Sequence, residues 1–199
     1  MFVMPVHEMP VSTVPSPVGR PNPGFSGTPS TIWAGAKHTV LAVGNSIMGD
    51  DRIGLEILSR LQGMLRQRPS WDAAVQRGEL AFVEGGISGM ELVPVVQESS
   101  RLLILDSIAP GDSRPPGQAL RLQGDHVPRL LSMKLSPHQV GLLDVLTAAR
   151  LTKREPEVIE VVGVVGAKVE LRLGMSREAA FGLEQAVQYA VDVLDEWLG

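Results

Sequence analysis

The sequence predicts a single α/β domain built on a mostly parallel, twisted sheet with helices on both faces. Three observations lead there. Apolar runs of strand length recur at residues 39–43, 80–85, 101–107 and 157–166. The stretches between and after them carry apolar residues at helical spacing. Strands that alternate with helices make parallel sheets, whose sites form beyond the carboxyl ends of the strands.

"TVLAV" (39–43) reads as a buried strand that ends at Gly44. Ile53, Ile57, Leu58, Leu61 and Leu65 fall on one face of a helix over about 51–66. "LAFVEG" (80–85) is a second strand, and "GMELVPVVQES" (89–99) a short helix that Pro94 is expected to bend or shorten. "RLLILDS" (101–107) is apolar enough to be central. "QALRLQ" (118–123) alternates like an edge strand, and "DHVPRLLSM" (125–133) is weakly helical. A good amphipathic helix covers 139–150, and a long strand covers 157–166. Ser176, with Glu178 in the first turn, starts a long final helix.

Residues 1–37 differ in kind. "VSTVPSPVGRPNPGFSGTPS" is rich in Pro, Gly, Ser and Thr and has no period. It is expected to be a disordered extension ahead of a domain spanning 38–199; a docking tail is the alternative.

Composition narrows the class of function. The chain has 199 residues, 44% of them apolar and 20% charged, with a net charge of −4 and no basic block. A nucleic-acid partner is therefore not expected. The absence of cysteine removes disulfides, thiol nucleophiles and thiolate metal sites. No apolar run approaches the ~18 residues that span a bilayer, and the N-terminus does not read as a secretory signal. A soluble, cytoplasmic protein without a membrane partner, and a monomer, is the expectation.

Polar residues gather after the strands. Asn45, Asp50 and Asp51 follow the first, and Glu84, Gly85, Gly86 and Ser88 the second. Asp106 and Ser107 close the third, and His138 opens a helix in "SPHQ". In a doubly wound sheet Asp51, Asp106 and His138 converge on one crevice. Two carboxylates and an imidazole suit a divalent cation of the Ni, Zn or Mn kind and leave positions open for an outside ligand. Each residue also has a plainer reading. Asp50 or Asp51 suits a helix N-cap, Asp106 a turn, His138 a cap, and Asn45 a left-handed turn position. His7, His38 and His126 read as surface residues.

Gly44 and Gly49 have the spacing of a phosphate loop, but Asp50 and Asp51 stand where that loop needs Lys and Ser or Thr. A nucleotide site is thus disfavoured. The G-x-G-x-x-G pattern fails at Ser46, "HEMPV" lacks the second His of a zinc protease motif, and "GISGM" fails as a nucleophile elbow. A serine triad on Ser88 or Ser107 is a minor alternative.

"VGNSIMGDDRIG" (43–54) resembles the first motif of the [NiFe]-hydrogenase maturation endopeptidases. "GGISGMEL" (85–92), "LLILDSI" (102–108) and "SPHQVGLLDVL" (136–146) resemble that family's later segments in the right order, so the resemblance spans about 39–190. It implies one α/β domain and an endopeptidase that removes the C-terminal extension of a nickel-loaded large subunit. Position by position, it puts the metal-contacting residues on Asp51, Asp106 and His138. The nickel would arrive with the substrate; either that metal polarises the scissile carbonyl or activates a water, or Asp51 or Asp106 acts as the base on that water. Asn45, Gly85, Gly86 and Gly89 are candidates for contact with the substrate. Three features depart from the family: Arg52 in place of a small residue, "GVVGAKVEL" (163–171), and the long Pro-rich start. The first two leave room for a non-cleaving chaperone of the same large subunit.

Overall fold

A computed structural model describes residues 35–124 and 137–199, with the side chains of 137–140 excepted. Most of the expected extension, the expected weak helix at 125–133, His7 and His126 lie outside the described residues. Five strands form one sheet: β1 (His38–Val43), β2 (Leu80–Gly86), β3 (Arg101–Ile108), β4 (Ala119–Gln123) and β5 (Val158–Val165). Their order is β2-β1-β3-β5-β4. All neighbours are parallel except β4, which pairs antiparallel to β5 at the edge.

The alternation of side chains along the central strands builds two cores. Val40, Ala42, Leu103, Leu105, Val162 and Val164 face one way, under α1 (Ile53–Met64), α2 (Pro69–Gln76) and α5 (Arg177–Leu198). Leu41, Val43, Leu102, Ile104, Val161 and Val165 face the other, under α3 (Val93–Glu98) and α4 (Pro137–Leu151). The expected layering is therefore present, with β3 central and buried along nearly its whole length.

The local structure differs from these expectations in several places. The first helix opens as a 3-10 turn at Gly49–Arg52 before α1 proper. The helix expected over 89–99 is short, α3 following a 3-10 turn at Met90–Leu92, and Pro94 does not bend it from within. It sits in the first turn of α3, where its missing N–H is no loss. Helix α2 was not anticipated. It buries Trp71 completely, and the indole Nε1–H donates to Asp195 Oδ1 of α5 at 3.0 Å. His38 is not a surface residue: it is 7% exposed, and its ring lies 5.7 Å from that of Trp197. Ser176 caps α5 as expected, accepting the Ala179 N–H at 3.1 Å.

Candidate functional site

The strand order has one switch point. From β1 the chain moves outward to β2, then crosses back over β1 to lay down β3 on its other side. The helix after β1 covers one face of the sheet and the helix after β2 the other, and in open α/β sheets ligands bind beyond the carboxyl ends of the strands beside such a switch point. Asp51 lies in the 3-10 turn that follows β1, and Asp106 lies near the end of β3. Each is only 2% exposed.

Glycines set how closely these parts approach. A Cβ on Gly44, whose φ is +130°, would lie 1.9 Å from the Asp51 carbonyl oxygen. The end of β1 and the backbone of Asp51 are thus in direct contact. A Cβ on Gly54 would lie 2.3 Å from the Leu105 carbonyl oxygen and 2.5 Å from that of Val43, so the start of α1 rests on the backbones of both strands. The phosphate-loop spacing has a different use here: it lets the turn fold tightly over the sheet end.

The two neighbouring aspartates divide the work. Asp51 Oδ2 accepts the main-chain N–H of Asn45 at 2.9 Å. The Asn45 side chain accepts from Ile47 N at 3.1 Å. Asn45 does not adopt the left-handed conformation considered for it; among the described non-glycine residues only Lys153 does. Neither aspartate caps a helix, since the 3-10 turn and α1 have no side-chain cap. Asp50 is fully buried and turns away to residues 167–176, accepting hydrogen bonds from Ala167 N, Lys168 N, Ser176 N and Ser176 Oγ at 2.6–3.0 Å. Burial pushes its carboxyl up, but these bonds outweigh burial and hold it below the ordinary value of 3.8. Sequence reasoning missed this role, whose only local signal was a second carboxylate beside the first.

Asp106 shares its side of β3 with Leu102 and Ile104, which face α3 and α4. Its Oδ1 accepts the Ser107 N–H at 2.7 Å. Helix α4 runs back along that face, so its first turn, containing His138, stands at the carboxyl end of the sheet. A Cβ on Gly141 would lie 3.3 Å from Gly89 Cα, which puts this end of α4 against the loop after β2. The His138 side chain lies outside the described residues. Among those described, no group of three His, Cys, Asp or Glu is placed to hold a metal.

The other sequence candidates fall around the same crevice. Between Ala42 and Val43 the β1–β2 ladder skips Gly85, a bulge that Gly86 completes at φ +54°. Gly86 O accepts the Gly44 N–H at 2.8 Å. A Cβ on Gly85 would meet Leu41 at 2.8 Å, so these two glycines have a structural reason of their own. Gly89 has open space within 4 Å of the position a Cβ would take. The Arg52 guanidinium donates twice to Glu56 on the next turn of α1, at 2.6 and 3.0 Å, which accounts for this departure locally. Ile47, Ile87, Met90, Leu171 and Leu173 are all exposed and lie on the connections that follow β1, β2 and β5, Met90 in a 3-10 turn. Such a rim suits a macromolecular ligand.

Known proteins resemble this arrangement. A family model described as hydrogenase maturation protease matches residues 57–193. The hydrogenase 2 maturation protease of Escherichia coli is 33% identical over 157 residues, covering 79% of this chain and 90% of its own. The hydrogenase expression/formation protein HoxM of Cupriavidus necator is 31% identical, over 80% of this chain and 74% of its own. The solved structure of the hydrogenase maturating endopeptidase HybD from E. coli superposes with a TM-score of 0.66 at 31% identity. That match covers 80% of this chain and 93% of HybD.

Proposed function

The chain belongs to the hydrogenase maturation protease family, and we propose that it removes the C-terminal extension of a nickel-loaded [NiFe]-hydrogenase large-subunit precursor. The observation that carries this reading is the pair of carboxylates, Asp51 and Asp106, each 2% exposed, at the carboxyl ends of adjacent strands. Two carboxylates at the same end of the sheet offer oxygen donors to a cation. Asp51 and Asp106 supply oxygen donors and His138 an imidazole nitrogen, a mixed set suited to a borderline divalent ion. Nickel is part of the substrate in this reading. Affinity is then high only for a precursor already loaded with metal, which is specificity through a required ligand.

Cleavage needs a base near the scissile carbonyl. One of the two carboxylates takes a proton from water, and the water oxygen attacks the carbonyl carbon. The proton passes to the departing amide nitrogen as the C–N bond breaks, leaving a carboxylate and an amine. Asn45, Gly86 and Gly89 lie on the connections beside this point, and Gly89 leaves room for a substrate backbone, whereas Gly85 is buried against Leu41 and Leu92. The apolar rim gives the body of the precursor a surface to rest on.

Alanine at Asp51, Asp106 or His138, one at a time, tests the assignment. Each variant is expected to fold, judged by circular dichroism, and to leave the precursor unprocessed. Wild-type processing by all three would overturn it.

A further inference from the structure

We propose that Asp50 is a positioning residue: it fixes the turn that presents Asp51 by bonding that turn to the chain segment leaving β5. The inference rests on the reading of Asp51 as a residue of the processing site. The turn after β1 and the segment 167–176 are joined from both sides. Gly49 N–H donates to Arg172 O at 3.1 Å, Asp50 N–H to Lys168 O at 3.0 Å, and Arg172 N–H to Ile47 O at 3.0 Å. These main-chain bonds resemble the start of a ladder, and Met48 and Arg172 form an isolated parallel bridge. The Asp50 carboxylate closes the joint, accepting from three main-chain N–H groups and one hydroxyl.

Three features make this more than general packing. The carboxylate is fully buried, so removing it leaves buried N–H donors to be satisfied. Its partners lie 117 to 126 residues away in sequence, so it ties together two loops that come from opposite ends of the domain's sequence. The next residue along the turn is Asp51, whose carbonyl oxygen is pressed against Gly44. A shift of the turn therefore moves Asp51 relative to Asp106, and small misplacements of a reacting group are costly to rate. The two bonds from the segment 163–171 come from the main-chain N–H groups of Ala167 and Lys168, so they do not depend on its side chains.

Four variants of the full chain, assayed on nickel-loaded precursor at a temperature where each is folded, test the proposal. Asp50→Asn puts an amide donor against one of the buried N–H groups. It is expected to lower kcat at least tenfold while KM stays within twofold. Val193→Ala, a fully buried change on α5 away from the turn, is the destabilised control and is expected to keep wild-type kcat. Ser176→Ala removes only the hydroxyl bond to Asp50 and its cap. It is expected to lower kcat by a smaller factor, and it carries the test if Asp50→Asn does not fold. Asp51→Ala is expected to be inactive. Wild-type kcat in the folded Asp50→Asn protein, or in Ser176→Ala where Asp50→Asn does not fold, would overturn the positioning role and leave the site assignment standing. An equal fall in Asp50→Asn and Val193→Ala would do the same. An active Asp51→Ala would overturn both.

Discussion

Ser176 donates to Asp50 twice, from its main-chain N–H to Oδ1 at 2.6 Å and from its hydroxyl to Oδ2 at 2.8 Å, across 126 residues of sequence. The same hydroxyl accepts the Ala179 N–H and so caps α5. One side chain thus joins the turn after β1, the segment after β5 and the last helix.

This joint makes stability depend on pH in a defined direction. Asp50 has a folded pKa below its ordinary 3.8. Its contribution is complete above the unfolded value and is lost as pH falls through 3.8 toward the folded value. Asp50→Asn is expected to cost about 2–3 kcal/mol at pH 7, the scale of hydrogen bonds to a charged group. It should also flatten the decline in stability below pH 4. Urea unfolding of both proteins from pH 3 to 7 checks this, and parallel pH curves would contradict it.

His38 supplies a second titration with a separate window. Burial lowers its pKa below the ordinary 6.5, aided by the charges of Arg101 and Lys37 and opposed by Glu79. The unfolded chain therefore takes up this proton at higher pH than the folded one. Stability from this residue is complete above 6.5 and is lost as pH falls through 6.5 toward the folded value. His38→Phe keeps a ring against Trp197 and removes the titration. The urea midpoint of the variant is expected to fall less than that of the wild type between pH 7.5 and 5, and equal falls would count against this reading.

Two glycines give opposite expectations. Gly44→Ala forces a Cβ into the Asp51 carbonyl at 1.9 Å, at a φ of +130° that side chains rarely adopt. It should destabilise by about 2–3 kcal/mol and abolish processing. Gly63 lies within α1 with nothing within 4 Å of the Cβ position. Gly63→Ala should stabilise by about 0.5–1 kcal/mol through helix propensity and leave processing intact. Thermal unfolding of the pair, with a processing assay, separates the close-approach glycine from the incidental one.

Most of the sheet was legible because its signal is local. The apolar runs that became β1, β2, β3 and β5, and the alternation that became β4, lie within a few residues of their structural ends. Helix α2 was not legible because its eight residues, "PSWDAAVQ", hold barely two turns and few apolar positions to show a period. Its stability comes from burying Trp71 against α5, a contact between distant segments. The burial of His38 against Trp197 is hidden from the sequence for the same reason. At the site, strand-end position singled out Asp51 and Asp106. The different work of Asp50 could not be read locally, because all its side-chain partners lie at residues 167–176.

The central claim, that the crevice at Asp51 and Asp106 reads nickel on the substrate before cleavage, is tested most directly by intact mass. The purified full-length protein is mixed with its large-subunit precursor prepared with and without nickel, and the mass of the precursor is read over time. Loss of a short C-terminal peptide from the nickel-loaded precursor alone is the expected result. Equal cleavage of both forms, or cleavage of neither, would contradict it.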